Sequence, residues 1–384
     1  MPTTKLKNTL YRIALPFFAP NCPRHPVTSV SGRDPVCIRD LESLHRKHHV
    51  LGSAVLLTSP EQYSLICTSS ENPKHSACPE TLFRVASITK TATAVLCVRL
   101  MEKGTLNPDR LVSEYFTNES ARSALDGITL RHLLSHTSGI IDPPGLESAV
   151  NEGAPFTDLL PSSRRFQPGN SFHYSNFGFG LIGCILESVF NAPVGQVFRD
   201  HLFEPLRMNA TLEACLLPSE RIMPVTRVLP YRKDRDITVT SLGSRPLLSP
   251  DPLRHYGHTA GSMYTDILSL QKLLNVLIFK DNDSLSERWK KEILLEHSSY
   301  GSLSPTLSYG LGLLRISDPA LSDGIIFGHQ GFAYGCVDGA FWEENTGRSV
   351  IMLNGGADEA RTGRLGLLNR DILHWAFRKE MAAW

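Results

Sequence analysis

Strand-like runs sit at the two ends of this 384-residue chain with mostly helical signals between them, and that split constrains the fold more than any single motif. Near the start, SAVLLTS (53–59) and YSLICTS (63–69) flank the short turn Pro60-Glu61-Gln62, as in a hairpin. Near the end come YGLGLLRI (309–316), IIFGHQGFAYG (325–335), GAFWEE (339–344) and SVIMLNGG (349–356), then a helical pattern from about Arg364 to Lys379. Residues 35–49 carry helical periodicity through Val36, Leu41 and Leu44. From about 105 to 220 the signals are mostly helical, including Leu130 to Ser135 and Phe177 to Phe190, and Thr265-Asp266 caps a further helix through Phe279. One antiparallel sheet closed by both chain ends, with a helical region inserted, follows from this order. The class is α+β, not βαβαβα.

Residues 1–33 read as a leader, rich in Pro and Ser over 19–33, and residues 34–384 as a single domain with a helical lobe at roughly 105–260. Residues 217–257 carry many prolines and alternating charge, the mark of a long irregular excursion; such length in a compact domain points to a loop covering a site. A formal net charge of +1 without a basic run gives no reason to expect nucleic acid as a partner. No run approaches the roughly 18 apolar residues of a membrane span. Lys5, Lys7 and Arg12 precede a short apolar run, Ile13 to Ala19, broken by Pro16 and followed by no small-x-small cleavage site. Together with eight scattered cysteines lacking C-x-x-C, this favours a cytoplasmic protein, with a secreted one as the alternative.

Chemistry concentrates first in Arg84 to Gly104, RVASITKTATAVLCVRLMEKG. Ile88, Ala92, Val95, Leu96 and Leu100 form a helical stripe, and Ser87 and Lys90, three apart, share a face. A hydroxyl needs a base before it attacks, and a lysine serves only if burial lowers its pKa. S-x-x-K is a cheap pattern, and Ser269–Lys272 also matches; there Lys272 is expected on the exposed face. Two further motifs add weight. Tyr174-Ser175-Asn176 stands directly before an apolar helix, and His329-Gln330-Gly331 lies between strand signals. A phenol at Tyr174 is placed to relay the Ser87 proton, and Asn176 to bind a substrate carbonyl. Gly331 permits close backbone approach, and the amide of Phe332 joins that of Ser87 as an oxyanion donor. His132 and His136 have the i, i+4 spacing of zinc ligands without the Glu of H-E-x-x-H, so neither metal nor cofactor is expected. His136 reads as a turn residue. His45, His48 and His49 read as a solvated helix end, and His255-Tyr256-Gly257 as loop near a cleft.

Taken in order, FRVASITK around Ser87, LRHLLSHTSGI (130–140), QPGNSFHYSNFGFGLIG (167–183), GHTAGSMYTDILSL (257–270), YGLGL (309–313) and GHQG (328–331) resemble the penicillin-recognising serine hydrolases. The similarity is to the branch of class C β-lactamases, DD-carboxypeptidases, D-aminopeptidases and related esterases and acyltransferases, over roughly residues 35–378. It implies a β-lactamase/transpeptidase-like fold, with the active site in a cleft between a helical lobe and the sheet, rimmed by 217–257. It also implies roles: Ser87 as nucleophile, Lys90 and Tyr174 as the proton-handling pair, Asn176 as a substrate contact and His329 as the third-motif position. The pattern departs from many β-lactamases, which have Lys-Thr-Gly where His329 stands and often a hydroxyl residue where Phe332 stands. Both changes remove polarity where a β-lactam carboxylate would sit. The expected substrate is therefore a small ester, amide or short peptide, neutral or differently anchored, with weak β-lactam hydrolysis. Acyl transfer from the same acyl-serine, and a non-catalytic binding role on the same scaffold, are the alternatives.

Overall fold

The computed structural model describes residues 27–31, 35–70, 73–228, 246–279 and 284–378, with residues 10, 13 and 14. A nine-stranded sheet runs in the order β1-β3-β2-β12-β11-β10-β9-β8-β7, antiparallel throughout. In chain order its strands are β1 (Val27–Ser31), β2 (Ser53–Thr58), β3 (Tyr63–Thr68), β7 (Ser298–Ser299), β8 (Leu307–Tyr309), β9 (Leu314–Ile316), β10 (Ile326–Ala333), β11 (Cys336–Glu343) and β12 (Ser349–Asn354). A small sheet of β4 (Phe83–Arg84), β5 (Ala210–Thr211) and β6 (Tyr264–Thr265) links the helical lobe to the segment before Ser87. The N- and C-terminal parts of the chain meet inside the sheet, where β2 pairs with β12 from Ser53↔Asn354 to Thr58↔Ser349.

Strand periodicity explains the layering. Ala54 and Leu56 of β2 and Ile351 and Leu353 of β12 join the core beneath the helical lobe. Val55 and Leu57 of β2 and Val350 and Met352 of β12 face the opposite core, under α1 (Pro35–Lys47) and the C-terminal helix Leu367–Phe377. Because both faces are covered, these strands read as continuous apolar runs. The inserted lobe includes α2 (Thr89–Glu102), α3 (Leu146–Glu152), α4 (Asn176–Phe190) and α5 (His258–Gly261).

Several sequence readings shift. Residues 27–31, assigned to the leader, add β1 to the sheet edge. YGLGLLRI is not one strand: Tyr309 pairs back on Leu314, and Gly312, at φ +72, turns the chain between β8 and β9. A Cβ there would stand 2.4 Å from that of Ala94, so the turn presses on α2. The histidines at the end of α1 are not solvated; His45 and His48 are buried, and His48 Nε2 lies 2.7 Å from Asp371 Oδ2. The 217–257 excursion falls partly outside the described residues.

Candidate active site

Ser87 lies in a 3₁₀ turn, Ala86–Ile88, that leads directly into α2, rather than within the helix. Ala86 adopts φ +44, an uncommon conformation for a residue with a side chain. Its surroundings hold it there. Val85 N donates to Met263 O at 3.0 Å, and Thr89 Oγ1 donates to Ala86 O at 2.6 Å. On the sheet side, a Cβ at Gly331 would lie 2.5 Å from Val85 O. Gly331 thus lets β10 pass directly behind the Ser87 turn.

The α2 helix is buried nearly all round, not on one stripe, and this carries Lys90 into the interior with 0% exposure. Its Nζ reaches three oxygens: Ala260 O at 2.7 Å, Asn176 Oδ1 at 2.8 Å and Ser87 Oγ at 3.1 Å. It also lies 4.9 Å from the centroid of the Tyr174 ring. Burial lowers its pKa from an ordinary 10.5 to about 7, and the Asp142 carboxylate restrains the fall. Two of the three partners, a backbone carbonyl and an amide oxygen, only accept hydrogen bonds. A neutral Lys90 therefore spends its two N–H groups on them and turns its lone pair toward Ser87.

Tyr174 is hydrogen-bonded to Ser87, and burial pushes its phenol well above the usual range, so it stays protonated at neutral pH. His136 supports it from below. At φ +57, it accepts from Ser175 N through Nδ1 at 3.2 Å and lies with its ring centroid 4.3 Å from that of Tyr174. Burial drives the His136 pKa well down, which keeps the ring neutral. His132 closes the capping box of the helix Leu130–Leu134. Asn176 is oriented by Asp142, whose Oδ2 accepts from Asn176 Nδ2 at 2.8 Å. Asp142 Oδ1 takes Ser175 Oγ at 2.9 Å and Phe177 N at 2.8 Å. Sequence reasoning missed Asp142. It stands in the loop after HTSGII with no periodicity around it, and only its acidity beside two prolines marked it.

The family model described as Beta-lactamase matches residues 40–365. The chain belongs to the beta-lactamase family. It is 26% identical to penicillin-binding protein 4* of Bacillus subtilis over 271 residues, covering 65% of this chain and 55% of that protein. The chain spans about a third to a half of the length of the first curated relatives it matches. Among solved structures, EstCE1, described as a hydrolase with promiscuous acyltransferase activity, superposes with a TM-score of 0.67 at 21% identity, covering 88% of this chain and 98% of that one. A D-amino acid amidase from Ochrobactrum anthropi gives 0.65 at 23%, covering 85% and 95%. At these identities the structures speak for the fold, β-lactamase/transpeptidase-like, as the family resemblance implied.

His329, expected at the third-motif position, is enclosed by protein. His329 is 2% exposed, beneath Tyr174 and Tyr309. Its Nδ1 is 2.7 Å from Gln330 O, a pure acceptor, so Nδ1 carries the proton and Nε2 accepts from Tyr309 OH at 3.0 Å. Burial, with Lys90 nearby, pushes the His329 pKa down to about 3. The residue is neutral and does not line the cleft. Phe332 does line it, and the Arg361 guanidinium stands 4.0 Å over its ring, a cation brought from elsewhere in the chain. Pairing with β9 ends at Gly328, so among the described residues no strand covers the β10 edge at Phe332.

Ser87, Asn176, Asp142 and Phe332 open on one cavity of about 340 Å³, walled also by Leu146, Val150, Tyr256, Gly257 and Tyr334. The His255-Tyr256-Gly257 segment, read as loop near a cleft, contributes Tyr256 and Gly257 to its wall. Lys272, in the second S-x-x-K match, is exposed and donates to Arg207 O at 2.5 Å. No single helix among the described residues is long and apolar enough to cross a membrane.

Proposed function

We propose that this protein is a serine hydrolase that cleaves a small ester or amide through an acyl-serine. One observation carries the reading: Lys90 Nζ, with two directions committed to Ala260 O and Asn176 Oδ1, has its third toward Ser87 Oγ. A pKa of about 7 leaves roughly half of Lys90 neutral at neutral pH, ready to take the serine proton. Ser87 then attacks the carbonyl, and the amides of Ser87 and Phe332 hold the oxyanion. Tyr174, protonated and hydrogen-bonded to Ser87, relays a proton to the departing alcohol or amine. Water entering the open cavity releases the acyl group. His329, neutral and buried, offers no charge to a carboxylate on the third-motif side, which supports weak turnover of β-lactams and a substrate that is neutral or anchored elsewhere.

A second reading, acyl transfer to an alcohol or amine, is supported by the likeness to EstCE1 and differs only in the acceptor. Intact-mass detection of covalent adducts across short-chain esters, a cephalosporin and D-amino-acid amides tests the proposal. An adduct is expected on Ser87 with the esters or amides and none with Ser87→Ala. Persistent turnover by Ser87→Ala would refute the mechanism, and comparable efficiency on the cephalosporin would refute the substrate assignment. Product analysis with added alcohol separates hydrolysis from transfer. A Ser87 inert to a fluorophosphonate would return the chain to the binding-protein alternative.

A further inference from the structure

Arg84 ends β4, three residues before the nucleophile, and lines the same cavity as Ser87. It is 5% exposed, and its Nε and Nη1 have no hydrogen-bond partner. An arginine stays charged at any ordinary pH; the Tyr264 hydroxyl answers only part of the fork, and two nitrogens left unpaired in a buried site call for an anion. A ring that also lines the cavity stacks on it. Tyr334 lies with its ring centroid 4.8 Å from the Arg84 guanidinium carbon, at the tip of the β10–β11 hairpin and at φ +57. Its hydroxyl donates to Glu147 Oε1 of α3, tying the sheet to the helical lobe across the cleft. Arg227 adds a second cation to the same wall, paired with Glu359 at 3.0 Å, while Leu146 and Val150 make the opposite side apolar.

We propose that Arg84 is the anion anchor of this cleft, uncovered when Tyr334 turns aside, and that the substrate is an ester or amide carrying a carboxylate. The inference rests on the hydrolase reading and refines its substrate class. The charge that His329 and Phe332 do not supply on the third-motif strand is supplied from the strand leading to the nucleophile. A carboxylate matches the guanidinium fork with paired, charge-assisted hydrogen bonds.

Two ester pairs test this, one with the carboxylate on the leaving alcohol (meta-acetoxybenzoate against its methyl ester) and one with it on the acyl half (p-nitrophenyl hydrogen glutarate against p-nitrophenyl methyl glutarate). At least one acid should exceed its methyl ester in kcat/KM by about tenfold or more, the worth of a hydrogen bond to a charged group. The preference should persist in molar salt, since a buried charge is weakly screened, and vanish in Arg84→Gln. Turnover of both neutral esters without preference for either acid would overturn the proposal, as would a preference that survives Arg84→Gln. Should Arg84→Gln fail to fold, the salt series on the unaltered enzyme decides: a preference that collapses in salt belongs to exposed Arg227 and ends the case for Arg84. If none of the esters is turned over, the hydrolase reading fails separately. Calorimetry with meta-acetoxybenzoate and its methyl ester then reads the anchor directly, tighter binding of the acid supporting it and equal binding overturning it.

Discussion

Lys90 shows how one side chain takes its chemistry from burial. The same amine on an exposed helix face is an ordinary cation; inside the lobe its charged form loses hydration, and its pKa falls to about 7. Two outcomes follow, with opposite bearings on activity and stability. As base, Lys90 must be neutral, so kcat/KM for a neutral ester should rise with pH and level off above about 7; Lys90→Met should fall by about 10²–10⁴-fold and lose that limb. For stability, the unfolded chain holds the proton to about 10.5 and the folded chain only to about 7. The penalty is therefore full below pH 7 and relieved as pH rises toward 10.5. Lys90→Met should raise Tm, and by more at pH 6 than at pH 9, by thermal unfolding at both. An acid limb retained by Lys90→Met would remove the lysine from the base role. His45 and His48 teach the converse. Their neighbours Arg46 and Lys47 made the run look solvated, but the carboxylates that bury with His48, Asp358 and Asp371, come from some 310 and 323 positions away in the chain.

At the scale of elements, the site depends on α4 and α5 meeting closely. A Cβ on Gly180 would fall 1.5 Å from Tyr256 O, a contact no small adjustment relieves. The segment it would displace leads into α5, which carries the Ala260 carbonyl bonded to Lys90. Gly180→Ala should therefore cost about 1–3 kcal/mol, as overpacking does, and lower kcat as well. Denaturant midpoints and initial rates check both; an unchanged midpoint would show that α4 and α5 part without penalty. Periodicity made the long elements legible, α1, α4 and strands β2, β3, β10 and β12 among them. It failed at YGLGLLRI, where apolar residues continue through a turn whose Gly312 answers to α2 rather than to strand alternation.

The whole molecule is closed by its two ends. β2 and β12 are neighbours inside the sheet, and the C-terminal helix packs with α1 on the outer face. A chain stopped after Glu343 loses β12 and that helix, leaving β2 with an open edge and the outer core exposed. Such a fragment should not fold cooperatively, and adding residues 344–384 as a separate peptide should restore part of the structure, by circular dichroism and activity. A cooperative, active fragment would show that the inserted lobe stands without the closing strand.

The sequence by itself determined the order of elements and, through short motifs, picked out the three groups proposed to carry the reaction, Ser87, Lys90 and Tyr174. Strand and helix periods are local, and a nucleophile turn is written in consecutive residues. Only the tertiary structure decided what those groups face. Asp142 orients Asn176, His329 is sealed as a neutral ring, Arg361 stands over Phe332, and Arg84 lies with two nitrogens unpaired beneath Tyr334. Burial and pairing of charge are properties of distant segments brought together, and no spacing along the chain encodes them.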